Sequence, residues 1–377
     1  MPWSEGPRLR WRRLLDFMDK RKLDVVVLGS QKNILYFTGY ITSRLYLPYY
    51  LLVLRDGDPI LVTGKVDREE AAKSFGGEIV EYVNYDLNER MRPYPSTAVD
   101  ALVKTLAGRF KNISSIGVED WGLDISLYRA LTKMFTNAAY HAISNELLLM
   151  RMRKDEDELE YMREAAKLND YAYQVAKDSA LVGRSEVEVY ATAHSQLVKR
   201  VGGFIYFSGD VVSGERCLNI GGPPTSRILR EGETLILDLW VVAKNYWSDT
   251  CRTFIIGGRS TQLQLKIYEI LMEALKAGED ILRPGVTGAE VYQAVYDSIE
   301  KHGYGRYFPH HAGHGLGLEA WEPPFFIPGD KTRLVEGSVC TLEPGVYFPE
   351  IGGVRLENNY VVRENGVEQL NRFPLEP

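Results

Sequence analysis

The spacing of apolar positions changes character along the chain. Between Pro7 and Lys22, Trp11, Leu14, Leu15 and Met18 recur three or four residues apart, which predicts a first helix. Short apolar runs at Asp24 to Leu28, Tyr50 to Leu54 and Ile60 to Thr63 predict strands, and the stretches Val66 to Ser74 and Thr97 to Phe110 predict further helices. That alternation describes an α/β domain built on a mixed sheet.

From about Lys154 the pattern lengthens into a charged helix whose stripe Leu159, Met162, Ala166 and Tyr173 faces a core. Ser185 with Glu188, and Thr287 with Glu290, are spaced as capping boxes and start two more helices. Among and after them lie strand-like runs, so helices are expected to back a curved antiparallel sheet.

Carboxylates sit inside those runs. Asp238 ends the run Thr234 to Leu239, and Asp249 precedes Thr253 to Ile256, with Lys244 and Asn245 as the turn between. A hairpin there brings both to one end. Glu343 follows Val339, Thr341 and Leu342 and is stopped by Pro344 and Gly345, while Glu357 follows Val354 and Leu356. His314 lies between Gly313 and Gly315, where the backbone can turn sharply. Any one of these carboxylates could be a solvated strand end. Taken together, four carboxylates and one imidazole without a thiolate suit two divalent ions (Mn, Co, Fe or Zn), and an ion pair that activates water is the core of a hydrolase.

Composition narrows the setting. At 377 residues the chain is long for one core, and two domains are expected, 1–150 and 151–377. A net charge of −6 argues against nucleic acid as a partner. The basic run Arg8 to Arg13 reads as the solvated face of the first helix. Three cysteines, Cys217, Cys251 and Cys340, leave no disulfide framework and point to the cytoplasm. The first ten residues lack an apolar signal core, and no stretch is long enough to cross a bilayer.

The contexts LILDLW, YWSDTCRTF, HAGHGLGLE, TLEPGVY and GGVRLENN, with NILYFTGY and MRKDEDELEYMREAAK nearer the start, resemble the pita-bread metallopeptidase superfamily, in its aminopeptidase P and prolidase branch. The resemblance implies an α/β N-terminal domain followed by an α+β pita-bread catalytic domain of the creatinase and aminopeptidase type. It further implies a homodimer acting on Xaa-Pro peptides with two divalent ions. Asp249 and Glu357 would bridge both ions, Asp238 would chelate one, and His314 and Glu343 would complete the other. Glu343 would also accept a proton from water, and Arg355 would support the ligand carboxylates.

Four positions depart from that family. Gly221 stands where a P-H-G turn carries histidine, and Trp321 replaces a second histidine before Glu322. Trp240 replaces glycine after Asp238, and Cys251 replaces the threonine of D-x-T-R-T. In the family those two imidazoles hold the substrate and move a proton to the leaving amine. One reading keeps a peptidase, with His310 or His311 taking over proton transfer. In another, a C–N hydrolase or lyase acts on a small cationic molecule held among Trp240, Trp321, Phe325, Phe326 and Tyr206. A binding module without activity is the third, and four convergent carboxylates, which repel one another without metal, argue against it.

Overall fold

The structure, a computed structural model, describes residues 5–42, 44, 47–83 and 96–377; the first four residues of the stretch read for a signal lie outside these. The chain divides into two compact units, Met1–Arg151 and Met152–Pro377. Among the described residues no helix is long and apolar enough to cross a membrane.

In the first unit six strands form one mixed sheet. They are β1 (Val25–Leu28), β2 (Tyr50–Leu54), β3 (Ile60–Gly64), β4 (Glu78–Tyr82), β5 (Ser115–Val118) and β6 (Ala139–Ala142), ordered β4-β3-β2-β1-β5-β6. β1 runs antiparallel to β2 and parallel to β5. The sequence VVVL is buried at every position because both faces of this central strand are covered, which is why the run is continuous rather than alternating.

The helices here are α1 (Glu5–Arg21), α2 (Gln31–Thr38), α3 (Arg68–Ser74), α4 (Ser96–Arg109), α5 (Ile125–Met134) and α6 (Ser144–Met152). Leu102 and Leu106 of α4 and Leu127 and Leu131 of α5 pack on Val25, Val27 and Leu52. The basic run of α1 is not wholly solvated: Arg10 is buried, and its Nε donates to the Tyr36 carbonyl at 2.7 Å. An arginine whose stem packs and whose head finds a carbonyl can turn inward at little cost.

The second unit opens with α7 (Glu156–Ser179), started by a capping box of Asp155 and Glu158. The expected boxes at Ser185 and Thr287 start α8 (Glu186–Val201) and α10 (Gly288–Glu300), with α9 (Gln262–Ile281) between them. Three strands, β7 (Tyr206–Ser213), β8 (Thr234–Ala243) and β9 (Tyr246–Ile255), form an antiparallel sheet. Tyr173 and Ala176 of α7 and Val189 and Leu197 of α8 pack on Leu235, Leu237, Leu239 and Val241, one face of β8.

Five more strands are ordered β11-β10-β12-β15-β16: β10 (His314–Gly315), β11 (Glu322–Phe325), β12 (Val339–Leu342), β15 (Asn358–Arg363) and β16 (Gly366–Gln369). β13 (Gly345–Phe348) and β14 (Gly352–Arg355) pair separately. The core of α9 and α10 closes over Leu342, Val354 and Leu356.

The β8–β9 turn is Lys244 and Asn245, both left-handed at φ 52° and 70°, the conformation that a two-residue hairpin turn demands. The aspartates, however, do not sit at one end of the hairpin. Asp238 pairs with Cys251 and Asp249 with Trp240, in the middle of ten-residue strands. Both strands run farther than their apolar runs because β8 is backed by helices on one face and bears the polar groups on the other.

Candidate metal centre

The face of the β7–β8–β9 sheet opposite the α7–α8 core carries Asp238, Trp240 and Asp249, since alternate residues share a face. Glu343 immediately follows β12, His314 opens β10, and Glu357 lies between β14 and β15. All five expected ligands are buried and line one cavity of about 370 Å³. Gly313, at φ 152°, carries the backbone into His314 past the Thr341 carbonyl, which would lie 2.2 Å from any Cβ at that position.

Hydrogen bonds aim these groups. Asn359 accepts from the Asp249 N–H at 3.1 Å and donates to its carbonyl. The Thr341 hydroxyl donates to Glu343 Oε1 at 3.1 Å and accepts from the His314 N–H at 3.1 Å. His314 Nδ1 lies 3.0 Å from the Gly315 carbonyl, which assigns the ring proton to that nitrogen. Its Nε2 then presents a lone pair, 3.5 Å from Glu343 Oε1 and 3.8 Å from Asp249 Oδ2. Arg355 Nη2 donates to Asp238 Oδ2 at 2.6 Å, and Trp240 Nε1 donates to Asp238 Oδ1 at 3.2 Å.

Three carboxylate oxygens lack such partners. Asp249 Oδ1 and both oxygens of Glu357 are buried without a hydrogen bond. Burial, then repulsion from Asp238 and Glu343, pushes the Asp249 carboxyl well above its usual range; burial and Asp249 do the same to Glu357. Orphaned buried acids are costly unless a cation sits among them. The ligand atoms of Asp249, His314 and Glu357 lie within 4.8 Å of one another, as do those of His311, His314 and Glu343, so this donor set fits divalent ions.

The two neighbouring histidines, His310 and His311, differ in character. His310 is pulled down to about 4 by burial, with Nδ1 2.7 Å from the His311 carbonyl and Nε2 2.9 Å from the Tyr347 hydroxyl. Burial also opposes protonation of His311, but Glu343, 3.0 Å from its Nε2, outweighs that and raises it. In return, Glu343, although disfavoured by burial, is held down to about 2 by the His311 hydrogen bond and the neighbouring imidazoles.

The expected aromatic pocket is only partly assembled. Trp240 and Trp321 line the cavity and are joined by Trp247, which sequence reasoning missed. Phe326 is fully buried in the α9–α10 core instead, and Tyr206 stands 43% exposed against Trp247, ring centroids 5.2 Å apart. Trp321 stacks on His314 and lies 4.7 Å from the His311 ring.

Gly221 is likewise absent from the lining, where Ile220 and Asp210 stand in that corner. Ile220 is left-handed at φ 70°, which is costly for a β-branched residue, and its carbonyl accepts from Arg355 Nη1 at 2.8 Å. The only signal for Asp210 was its place three residues past the aromatic pair Tyr206 and Phe207, too common to single it out.

A pita-bread catalytic unit that buries a carboxylate and imidazole donor set, preceded in the chain by an α/β unit, defines a metallopeptidase of the creatinase and prolidase type. Residues 160–364 match the model of metallopeptidase family M24, and residues 10–153 match the creatinase/prolidase N-terminal domain. The chain belongs to metallopeptidase family M24.

It is 30% identical to the Xaa-Pro dipeptidase of Pyrococcus horikoshii, with 96% of each chain covered. Among solved structures, the Xaa-Pro dipeptidase from Bacillus anthracis superposes with a TM-score of 0.85 at 28% identity, covering 98% of this chain and 99% of that one. The prolidase from Pyrococcus horikoshii gives 0.84 at 27% identity, covering 97% and 99%.

Proposed function

We propose that the protein is a two-metal Xaa-Pro peptidase that cleaves short peptides. Asp238, Asp249, His314, Glu343 and Glu357 would hold the ions, Asp249 and Glu357 serving both, Asp238 helping to hold one, and His314 and Glu343 the other. The observation that carries this is the set of buried, unpartnered oxygens on Asp249 and Glu357, which bound cations would compensate. When bound, such ions supply an acidified water and polarise the substrate carbonyl.

The protein's own groups do the rest. Glu343, kept ionised beside His311, accepts the proton of the attacking water. His311 carries that proton on to the leaving amine, a role its contact with Glu343 supports over His310, whose two ring nitrogens are engaged by the His311 carbonyl and the Tyr347 hydroxyl. His310 and Tyr347 then position the neighbouring backbone and Arg355, which orients Asp238. A histidine beside Trp321 thus stands in for the imidazole that Trp321 displaces.

A second reading, a small cationic molecule as substrate, is favoured by Trp240, Trp247 and Trp321 along the cavity. One experiment separates the two. Protein loaded with Mn or Co is assayed on Xaa-Pro dipeptides and Xaa-Pro-Xaa tripeptides; proline release supports the peptidase, and cleavage of neither sinks it. Metal analysis of the purified protein tests the centre itself.

A further inference from the structure

Asp210 is a carboxylate that the ligand set does not use. It lies on β7 directly opposite Asp238, so it shares the cavity-facing side of the sheet. Its side chain fills the space above Gly221, where an added Cβ would fall 1.9 Å from Asp210 Oδ2. The loss of a side chain at 221 and the presence of a carboxylate at 210 are one structural event.

Among the described residues no cation is hydrogen-bonded to this carboxylate. Arg355 is held by Asp238, the Tyr347 hydroxyl and the Ile220 carbonyl, and Arg216 is held by Glu186 and the Pro223 carbonyl. Both act on Asp210 only from a distance, and its hydrogen-bond donor is the Gly222 N–H. The indole rings of Trp240, Trp247 and Trp321 line the same cavity. A half-buried carboxylate without a counter-ion, facing aromatic surface, is a receptor for an ammonium group.

We propose that Asp210 binds the free α-ammonium group of the substrate and so selects peptides with an unblocked amino terminus. The assignment rests on the peptidase reading for which amine is bound. Directly opposed residues hold their Cβ atoms about 5 Å apart, which sets Asp210 one residue away from Asp238. In an aminoacyl substrate the α-nitrogen lies about 2.5 Å from the carbonyl carbon under attack, so a carboxylate adjoining a metal ligand is at the right range for it. A lysine ammonium, four carbons farther out, would overshoot.

The test compares wild type with Asp210→Asn in the metal-loaded protein. KM is measured for alanyl-proline, and the inhibition constant for propionyl-proline, which has the same shape without the amine. Loss of one charge-assisted hydrogen bond is expected to raise KM for alanyl-proline about tenfold or more, leaving propionyl-proline inhibition unchanged. Equal weakening of both, or no change in either, overturns the proposal.

Should wild type cleave no dipeptide, the peptidase reading fails separately, and binding of n-butylamine against n-butanol, followed by calorimetry, still decides. Selective loss of the amine in Asp210→Asn upholds the ammonium site, and parallel binding by both proteins removes it. Asp210→Glu, which keeps the charge, is expected to retain the preference for amine, and guards against a folding defect in the first variant.

Discussion

The ring of Trp321 lies flat on the ring of His314, centroids 5.0 Å apart and planes 12° from parallel. Because His314 is held at Nδ1 by the Gly315 carbonyl, the stack fixes the one remaining freedom of the imidazole, its rocking about that hydrogen bond. Trp321→Ala is therefore expected to weaken Mn binding about tenfold, the usual cost of losing a group that orients a ligand. Trp321→Phe should recover most of it. Titration of the apo protein with Mn by calorimetry measures both.

Glu357 is the most deeply buried of the five, and neither of its oxygens has a partner. Such a carboxylate opposes folding when it is ionised alone, and in the proposed centre a bound ion would reverse that sign. Glu357→Gln is expected to stabilise the apo protein at pH 8 by about 1–3 kcal/mol while abolishing the rise in Tm that Mn gives wild type. Denaturant unfolding with chelator and with Mn reads the two signs, and a variant that is less stable in both conditions contradicts the assignment.

Lys154 Nζ and Glu322 Oε1 form an ion pair of 2.6 Å whose side chains are almost wholly buried, 1% and 0% exposed. Desolvated partners are costly to separate. Lys154→Met is expected to cost about 3–5 kcal/mol, whereas Lys154→Met with Glu322→Leu should lose far less. A double-mutant cycle by urea unfolding gives the coupling directly.

Acid stability should depend on Glu368. Its hydrogen bond from Arg163, helped by Arg363, outweighs its partial burial and holds the carboxyl down to about 2. A folded pKa below the unfolded value adds stability that is complete above about pH 4.3 and is lost as pH falls toward 2. The pair is 30% exposed on the glutamate side, so screening reduces its share to on the order of 1 kcal/mol. Glu368→Gln should flatten the stability profile in that window and leave it unchanged in shape above pH 5.

Much of this was legible because the signals were local. The capping boxes at Ser185 and Thr287 and the Lys244–Asn245 turn are short-range chemistry, and each produced the element it announced. The carboxylates of Asp238, Asp249, Glu343 and Glu357 stood out because charge inside apolar strand runs requires a reason. What escaped depends on register across strands or on packing between distant segments. Asp210 acquires meaning only from facing Asp238 and Gly221, and Trp247 only from the cavity. Phe326 looked like a pocket residue from its neighbours, yet its Ala312 pairing turns it into the core.

The left-handed turn of Lys244 and Asn245 bears on which changes in chain length this lineage can accept. A two-residue loop fixes the pairing of β8 with β9, and side chains alternate between the two faces. Inserting or deleting one residue there would swing Asp249 into the apolar layer under α7 and bring Ser248 or Thr250 round to the cavity. Surface loops elsewhere can lengthen for about half a kcal/mol per doubling. This one cannot, and length at this turn should separate working members of such a family from broken copies more cleanly than the identity of any single nearby residue.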